Sequence, residues 1–286
     1  MDVGADLNRG IRLPPRLSRL IPALVDEAGR VPLIRPLLQR WHWRRFSSAT
    51  GHARLFHGIY PDFTTALRVI PPGRLVGCDN EASAQRLAHE RLRIIPLDYP
   101  VLFWLQKLLP QARLLFDFGG HVGISYFGFR KYLQYPAGLT WLVMDVPAVV
   151  AAGERIARSE SAGQLLFTTE LDKLPQADIL LAAGSLHFVE KPLETLESVP
   201  ALPRHILLNK VPVHDLASAV TLHNMGSALC AYHLFNRAEF LAAFQSLGYT
   251  LRDEWTNPDL GARIPLHREH SIPAFSGFYF ERRQPM

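Results

Sequence analysis

The sequence predicts an α/β fold: a doubly wound, mostly parallel sheet of seven strands that ends in an antiparallel hairpin, preceded by a helical N-terminal region. Three observations predict it. From Leu114 onward, short runs of Val, Ile and Leu recur between amphipathic stretches, apolar throughout and not alternating. That is the βαβ rhythm of a parallel sheet covered on both faces. The first run passes directly into a glycine-rich turn, and two strand candidates follow the last helical stretch with only a loop between them, as an edge hairpin requires.

Residues 1–100 differ from the rest. Their helical segments are broken by Pro14, Pro15, Pro22, Pro32, Pro36, Pro71 and Pro72 and show no βαβ pattern, so they are expected to form an arginine-rich helical cap on a sheet domain spanning 101–286. Leu17, Leu20, Ile21, Leu24, Val25, Leu33, Ile34, Leu37 and Leu38 interleave there with Arg16, Arg19, Arg30, Arg35 and Arg40, before Trp41, Trp43 and Phe46. Such helices either cap the domain, pair with a second subunit as a homodimer, or lie on a membrane surface.

The strand candidates are LLFDF (114–118), TWLVMDV (140–146), LLFTT (165–169), ADILLAAG (177–184) and HILLNKVPV (205–213). Helix candidates Ser125–Tyr135, Val149–Ser159 and Pro192–Val199 alternate with them. A further helix, Arg237–Leu247, stops at Gly248, a residue suited to the left-handed position after a helix. The hairpin candidates are Tyr249–Trp255 and Phe275–Arg282.

The 286 residues, 48% hydrophobic and 20% charged, suffice for one large domain with an appendage. The basic residues are 26 arginines and five lysines, and residues 1–54 hold ten of the arginines against four acids. The net charge of +5 therefore belongs to the N-terminal segment, and the near-neutral body does not indicate nucleic acid or another polyanion as partner. Cys78 and Cys230 have neither metal nor redox spacing, so a reducing cytoplasm is the expected compartment. The N-terminus lacks an apolar signal core and no apolar run approaches a bilayer span, which makes the expected protein soluble or membrane-peripheral.

The chemistry centres on LLFDFGGHVGISY (114–126). Asp117 ends an apolar run, and Gly119, Gly120 and Gly123 allow a tight turn whose backbone can approach a nucleotide-like cofactor. Asp145 ends the next strand at about the distance of an acid that bonds a ribose; otherwise it caps the helix after Pro147. Gly184, Ser185 and His187 follow the fourth strand and should face the same crevice, since ligands of open α/β sheets bind beyond the carboxyl ends of the strands. His187 is then a candidate general base, or a histidine bonded to a neighbouring loop. The segment 209–236 is unusually polar and is expected over the crevice, with His214, His223, Tyr232 and Asn236 as candidates on the substrate side.

Several classes are disfavoured. The spacing of His205, His214, His223 and His233 matches no zinc pattern and HExxH is absent, so no metal is expected. Neither a G-x-S-x-G elbow nor a GxxxxGK[ST] loop is present, which disfavours an esterase or a nucleotide triphosphatase. A nicotinamide-dependent oxidoreductase stays open.

These residues resemble a class I S-adenosylmethionine-dependent methyltransferase. The first motif of that superfamily is acid-x-Gly-x-Gly-x-Gly; Asp117, Gly119 and Gly123 match its outer positions, His121 stands at the middle glycine, and Asp145 matches the acid that holds the ribose. More narrowly, the chain resembles a little-characterised family of bacterial methyltransferases often found with polysaccharide or other biosynthetic loci. The matching pieces, in order over roughly 55–280, are FHGIYPDFTTAL, LFDFGGHVGISY, WLVMDVP, ILLAAGSLHFVEKP, LLNKVP, TLHNMG with FNR, and GYTLRDEW.

The resemblance implies a Rossmann-like catalytic domain that binds S-adenosylmethionine, releases S-adenosylhomocysteine and methylates an oxygen of a small-molecule or glycan acceptor. It implies cofactor contacts by Asp117, Gly119, Gly120, His121, Gly123, Tyr126, Asp145, Glu170, Leu171, Gly184 and Ser185, with Tyr60 closing over the cofactor from the N-terminal region. Family members commonly carry glycine where His121 stands and glutamine where His187 stands, so a base role for His187 would be particular to this chain. Without an N/D-P-P-aromatic motif after the fourth strand, nucleic-acid methylation is disfavoured. A binding or scaffold protein that keeps the fold without catalysis is the alternative from another class.

Overall fold

The computed structural model describes residues 27–48, 55–88, 94–172 and 176–282. The expected helical stretch from Arg16 to Val25 lies outside them. In chain order the first elements are helix α1 (Arg35–Ser47), strand β1 (Leu55–Tyr60), and helices α2 (Phe63–Arg68), α3 (Glu81–Ala88) and α4 (Tyr99–Leu108). Then come β2 (Leu114–Phe118), α5 (Ile124–Phe129), β3 (Thr140–Met144), α6 (Pro147–Ser159), β4 (Leu165–Thr168), β5 (Ile179–Ala183), α7 (Pro192–Glu197) and β6 (His205–Val211). The chain continues through β7 (Val213–His214), β8 (Ala219–Asn224), β9 (Leu229–Asn236), α8 (Arg237–Ser246), β10 (Tyr249–Asn257) and β11 (Phe275–Arg282).

Seven strands form the main sheet in the order β10-β11-β6-β5-β2-β3-β4. β6, β5, β2, β3 and β4 run parallel, and β11 lies antiparallel between β6 and β10. The fold is Rossmann-like. β2 is buried along its whole length, as a strand covered on both faces must be. One face packs Leu105, Leu115, Phe127, Trp141 and Ala157 beneath α4, α5 and α6; the other packs Phe116, Leu180, Leu196, Phe240 and Phe244 beneath α7 and α8.

Local chemistry sets the helix starts. Gly123, left-handed at φ 83°, opens α5; Pro147 sits in the first turn of α6, where its missing N–H leaves no bond unmade; Asn236 caps α8 through its Oδ1, which accepts from Glu239 N at 2.8 Å. The helix expected over 125–135 is shorter, because α5 gives way to turns after Phe129.

The N-terminal region is not only helical. β1 pairs antiparallel with β8, and the order β1-β8-β9-β7 makes a second sheet in which the partners of β1 and β8, from Leu55↔Asn224 to Tyr60↔Val220, are far apart along the chain. β1 was hidden because its burial does not alternate: Phe56 is buried and the other five residues are half-buried. One face of this sheet carries Val220, Leu222, Leu229 and Ala231 against Phe46 of α1 and Phe63 and Ala66 of α2. The other carries Phe56, Tyr232 and Leu234 against Ile264, Ile272 and Phe275 from around the β10–β11 loop. Among the described residues no helix is long and apolar enough to cross a membrane.

Candidate functional site

The sheet order reverses between β2 and β5: from β2 the chain winds outward through β3 and β4, then returns to the other side. Beyond the carboxyl ends of strands at such a switch point lies the ligand crevice of an open α/β sheet. The turns after β2 and β5 meet there, since Ser185 Oγ donates to Phe118 O. The Gly119 N–H donates to Met144 O at 2.8 Å and ties the turn to β3 as well.

The glycines of this turn are required by the protein's own packing. A Cβ on Gly119 would meet Ser185 Cβ at 2.3 Å, on Gly120 Asp117 Cγ at 2.4 Å, and on Gly123 Leu165 Cδ2 at 2.7 Å. His121 occupies the left-handed region at φ 57°, one of the few side chains to accept it with moderate strain.

Asp145 binds the turn. Its Oδ2 accepts from His121 N at 2.9 Å and its Oδ1 from Val146 N at 2.8 Å, so the carboxylate ties the glycine turn to the residue that precedes α6. Burial pushes its pKa up to about 6, against the pull of those two N–H groups. Asp117 lies deeper and is fully buried; its Oδ2 accepts from Trp141 Nε1 at 3.0 Å, its Oδ1 has no partner, and burial raises its pKa to about 7.

The turn is covered by α3. Ala84 packs with Val122, Val149 and Ala152, and Asp79 Oδ1 accepts from Ala148 N at 3.0 Å at the start of α6. The His121 ring is pressed beside the Ser83 backbone, where its nitrogens make no well-formed hydrogen bond, and burial lowers its pKa to about 4. Asn80 caps α3 by accepting from Ser83 N at 2.9 Å. The segment Cys78-Asp79-Asn80 thus carries a helix-start signature that points to this cover.

After β5, Gly184 turns at φ 91° and His187 enters a single helical turn beneath the second sheet. The His187 ring centroid is 4.2 Å from that of Tyr232; Phe188 is 5.1 Å from Tyr232 and 5.9 Å from His223, which stacks on Phe56 at 4.5 Å. An aromatic wall thus faces the end of β5. Burial drives the His187 pKa well below its usual value, so the ring is neutral at physiological pH and a weaker base than an exposed histidine.

By sequence, the chain matches no protein-family model and no curated protein. Among solved structures it is similar to the N-terminal domain of EvdMO1 in the presence of SAH and D-fucose, at 14% identity over 67% of this chain and 85% of that one, TM-score 0.46. It is also similar to 1,6-didemethyltoxoflavin-N1-methyltransferase of Burkholderia thailandensis, at 13% identity, 71% and 84% coverage and TM-score 0.47. A third similar structure is magnesium protoporphyrin IX methyltransferase of Synechocystis PCC 6803, at 16% identity, 76% and 92% coverage and TM-score 0.46.

Four other expected site residues are engaged in packing or in local hydrogen bonds. Tyr126 is a core side chain, packed with Phe127, Tyr135 and Trp141, because the short α5 turns it toward the sheet. Tyr60 sits with Trp43, Leu55 and Leu67 on the face of the second sheet opposite Tyr232. Asn236 spends its amide on local structure, its Nδ2 donating to Leu216 O at 2.9 Å while its Oδ1 caps α8. His214 is on β7, where its Nδ1 accepts from Leu216 N at 3.3 Å. Glu170 and Leu171 follow the end of β4, with Leu171 packed against the second core face.

Sequence reasoning missed Lys210, whose backbone is left-handed at φ 61° at the end of β6. Its Nζ is 3.3 Å from Asp98 Oδ1, and its side chain fills the space a Cβ on Gly184 would enter. Asn209 holds this corner, donating to Leu97 O at 3.1 Å and accepting from Trp255 Nε1 at 3.1 Å. Cys78 and Cys230, remote in sequence, have their sulfurs 3.8 Å apart. Clefts of about 320 Å³ beside His42, His57 and His267, and of about 720 Å³ beside Tyr132–Pro136, touch no residue of the glycine turn. Among the described residues no three His, Cys, Asp or Glu side chains are grouped to hold a metal.

Proposed function

We propose that the protein is an S-adenosylmethionine-dependent methyltransferase that methylates an oxygen, hydroxyl or carboxylate, of a small-molecule or glycan acceptor. The observation that carries this reading is the tie between Asp145 and the His121 N–H at the switch point of a sheet completed by the reversed pair β10 and β11. Buried polar atoms without partners, Asp117 Oδ1 and both His121 ring nitrogens, lie at the same turn, as suits a polar ligand with donors and acceptors of its own.

The cofactor would supply an electrophilic methyl group. Asp145 has lone pairs left after its two backbone bonds to accept from ribose hydroxyls, and these donors would favour its ionised form. Gly119, Gly120, His121 and Gly123 would flank the methionine part, Gly184 and Ser185 would close the β5 side, and Glu170 and Leu171 would border the adenine. His187, neutral and buried against Tyr232, would accept a hydrogen bond from the acceptor hydroxyl and orient it, with His223 and Tyr232 as the wall behind. Positioning supplies most of the acceleration, since the two reacting atoms need only contact and alignment.

One observation favours a second reading, a fold that has kept the turn and lost catalysis: the His121 ring is buried where the family resemblance expects glycine. Isothermal titration with S-adenosylmethionine, S-adenosylhomocysteine and NAD(H) separates the readings. The expected result is micromolar binding of the first two, abolished in Asp145→Ala. Binding of NAD(H) alone would give the oxidoreductase, and no binding of any of them the scaffold. Once an acceptor is found, His187→Ala should lower kcat by about a hundredfold with unchanged S-adenosylhomocysteine affinity; full turnover would remove His187 from the site.

A further inference from the structure

Helix α1 covers the second sheet with one face and leaves the other apolar and cationic. His42 and Phe46 are buried and Trp43 packs beside them. On the far side Leu33 is 87% exposed, Leu37 66% and Trp41 50%, with Val31 and Ile34 exposed next to them. Single exposed leucines are ordinary, but five large apolar residues within eleven positions make a patch. Leu33, Leu37 and Trp41 are four apart and so follow one stripe, which the bonds from Arg35 N to Val31 O at 3.0 Å and Leu38 N to Ile34 O at 3.1 Å extend ahead of the helix.

Along α1 the charge has one sign. α1 contains Arg35, Arg40, Arg44 and Arg45, and no acid occurs between Ala28 and Pro61. Arg45 lies over the Trp41 ring, 5.7 Å from its centroid. Helical spacing sets Arg44 on the outward side with Leu37 and away from His42 and Phe46, while Arg40 borders the cleft beside His42 and His57.

We propose that this face docks on an anionic lipid surface, with Leu33, Leu37 and Trp41 entering the headgroup–acyl boundary and Arg44 and Arg45 meeting lipid phosphates. Charge complementarity selects this occupant. A second copy of the same face would bring an acid-free row of arginines against its like, and a nucleic acid would match the arginines but leave the leucines and the tryptophan in water. The inference is independent of the methyl-transfer reading.

The test is co-sedimentation of the full chain with vesicles of phosphatidylcholine containing phosphatidylglycerol, and with pure phosphatidylcholine. Binding is expected to the first only, weakening about tenfold or more as salt rises from roughly 50 to 500 mM. Leu37→Ser combined with Trp41→Ser should cut that binding about tenfold, with an unchanged thermal melt showing that the fold is kept. In the unsubstituted protein, brominated acyl chains should quench tryptophan emission, and Trp41→Phe should remove most of the quenching. Four results would each overturn the proposal: no preference for anionic vesicles; full binding by the double variant; a dimer that the same variant splits; or binding of duplex DNA with none to vesicles.

Discussion

At the residue scale, the crevice is governed by carboxylates, of which Asp117 is held where water does not reach. Asp117 titrates near 7 because burial disfavours its charge, with Trp141 as its direct donor. A carboxyl whose folded pKa exceeds its unfolded value adds stability that is full below about 3.8 and is lost as pH rises through about 7. Asp117→Asn should therefore flatten the fall in unfolding free energy between pH 4 and 7.5, measured by urea titration of the ligand-free protein. An unchanged slope would mean that Asp117 is ionised in the folded state at no cost. Gly120→Ala drives a methyl group to 2.4 Å from the Asp117 Cγ, a buried atom that can move only by breaking the Trp141 bond. It should destabilise by about 1–3 kcal/mol in the same assay, the usual range for overpacking.

At the element scale, several polar residues that the sequence offers to a substrate are used to start or hold secondary structure. Asn236 is the clearest case: its Oδ1 caps α8, and Asn236→Ala should cost about 1 kcal/mol of stability with unchanged S-adenosylhomocysteine affinity. Loss of affinity without loss of stability would return Asn236 to the site. Lys210 and His121 are two of four non-glycine residues with positive φ among the described residues, and both stand at carboxyl ends of the parallel strands. Such backbone persists only where its surroundings enforce it, here Asn209, Asp98 and Trp255 around Lys210, and Asp145 with α3 around His121. The Asp117–Gly123 turn was legible because glycine and acid spacing are local signals. Lys210 was not, since nothing in Asn-Lys-Val-Pro announces a left-handed lysine.

At the scale of the whole molecule, two sheets share the work. The large one makes the crevice, and the small one, built from β1 and the segment between β6 and α8, brings Tyr232 and His223 above it. β1, which precedes residue 100, pairs with β8, which follows it, so part of the N-terminal region belongs to the sheet that overhangs the site. Removing residues through Tyr60 should therefore leave Phe56 missing from the wall against His223 and expose β8 as an edge, giving a protein that aggregates on size-exclusion chromatography. A monodisperse truncated protein would show that β1 is dispensable.

The sequence by itself determined the five parallel strands, the closing hairpin, the glycine turn and the acid that follows β3. Each depends on neighbours within a few positions: apolar runs, turn residues, helix starts. Only the tertiary structure decided that β1 pairs with β8, that Tyr126 and Tyr60 turn into cores, that Cys78 and Cys230 meet, and that the turn's glycines yield to Ser185, Asp117 and Leu165. Those contacts join positions far apart along the chain. Their energy comes from burying surfaces that exist only once both sheets have formed, so no local pattern carries them.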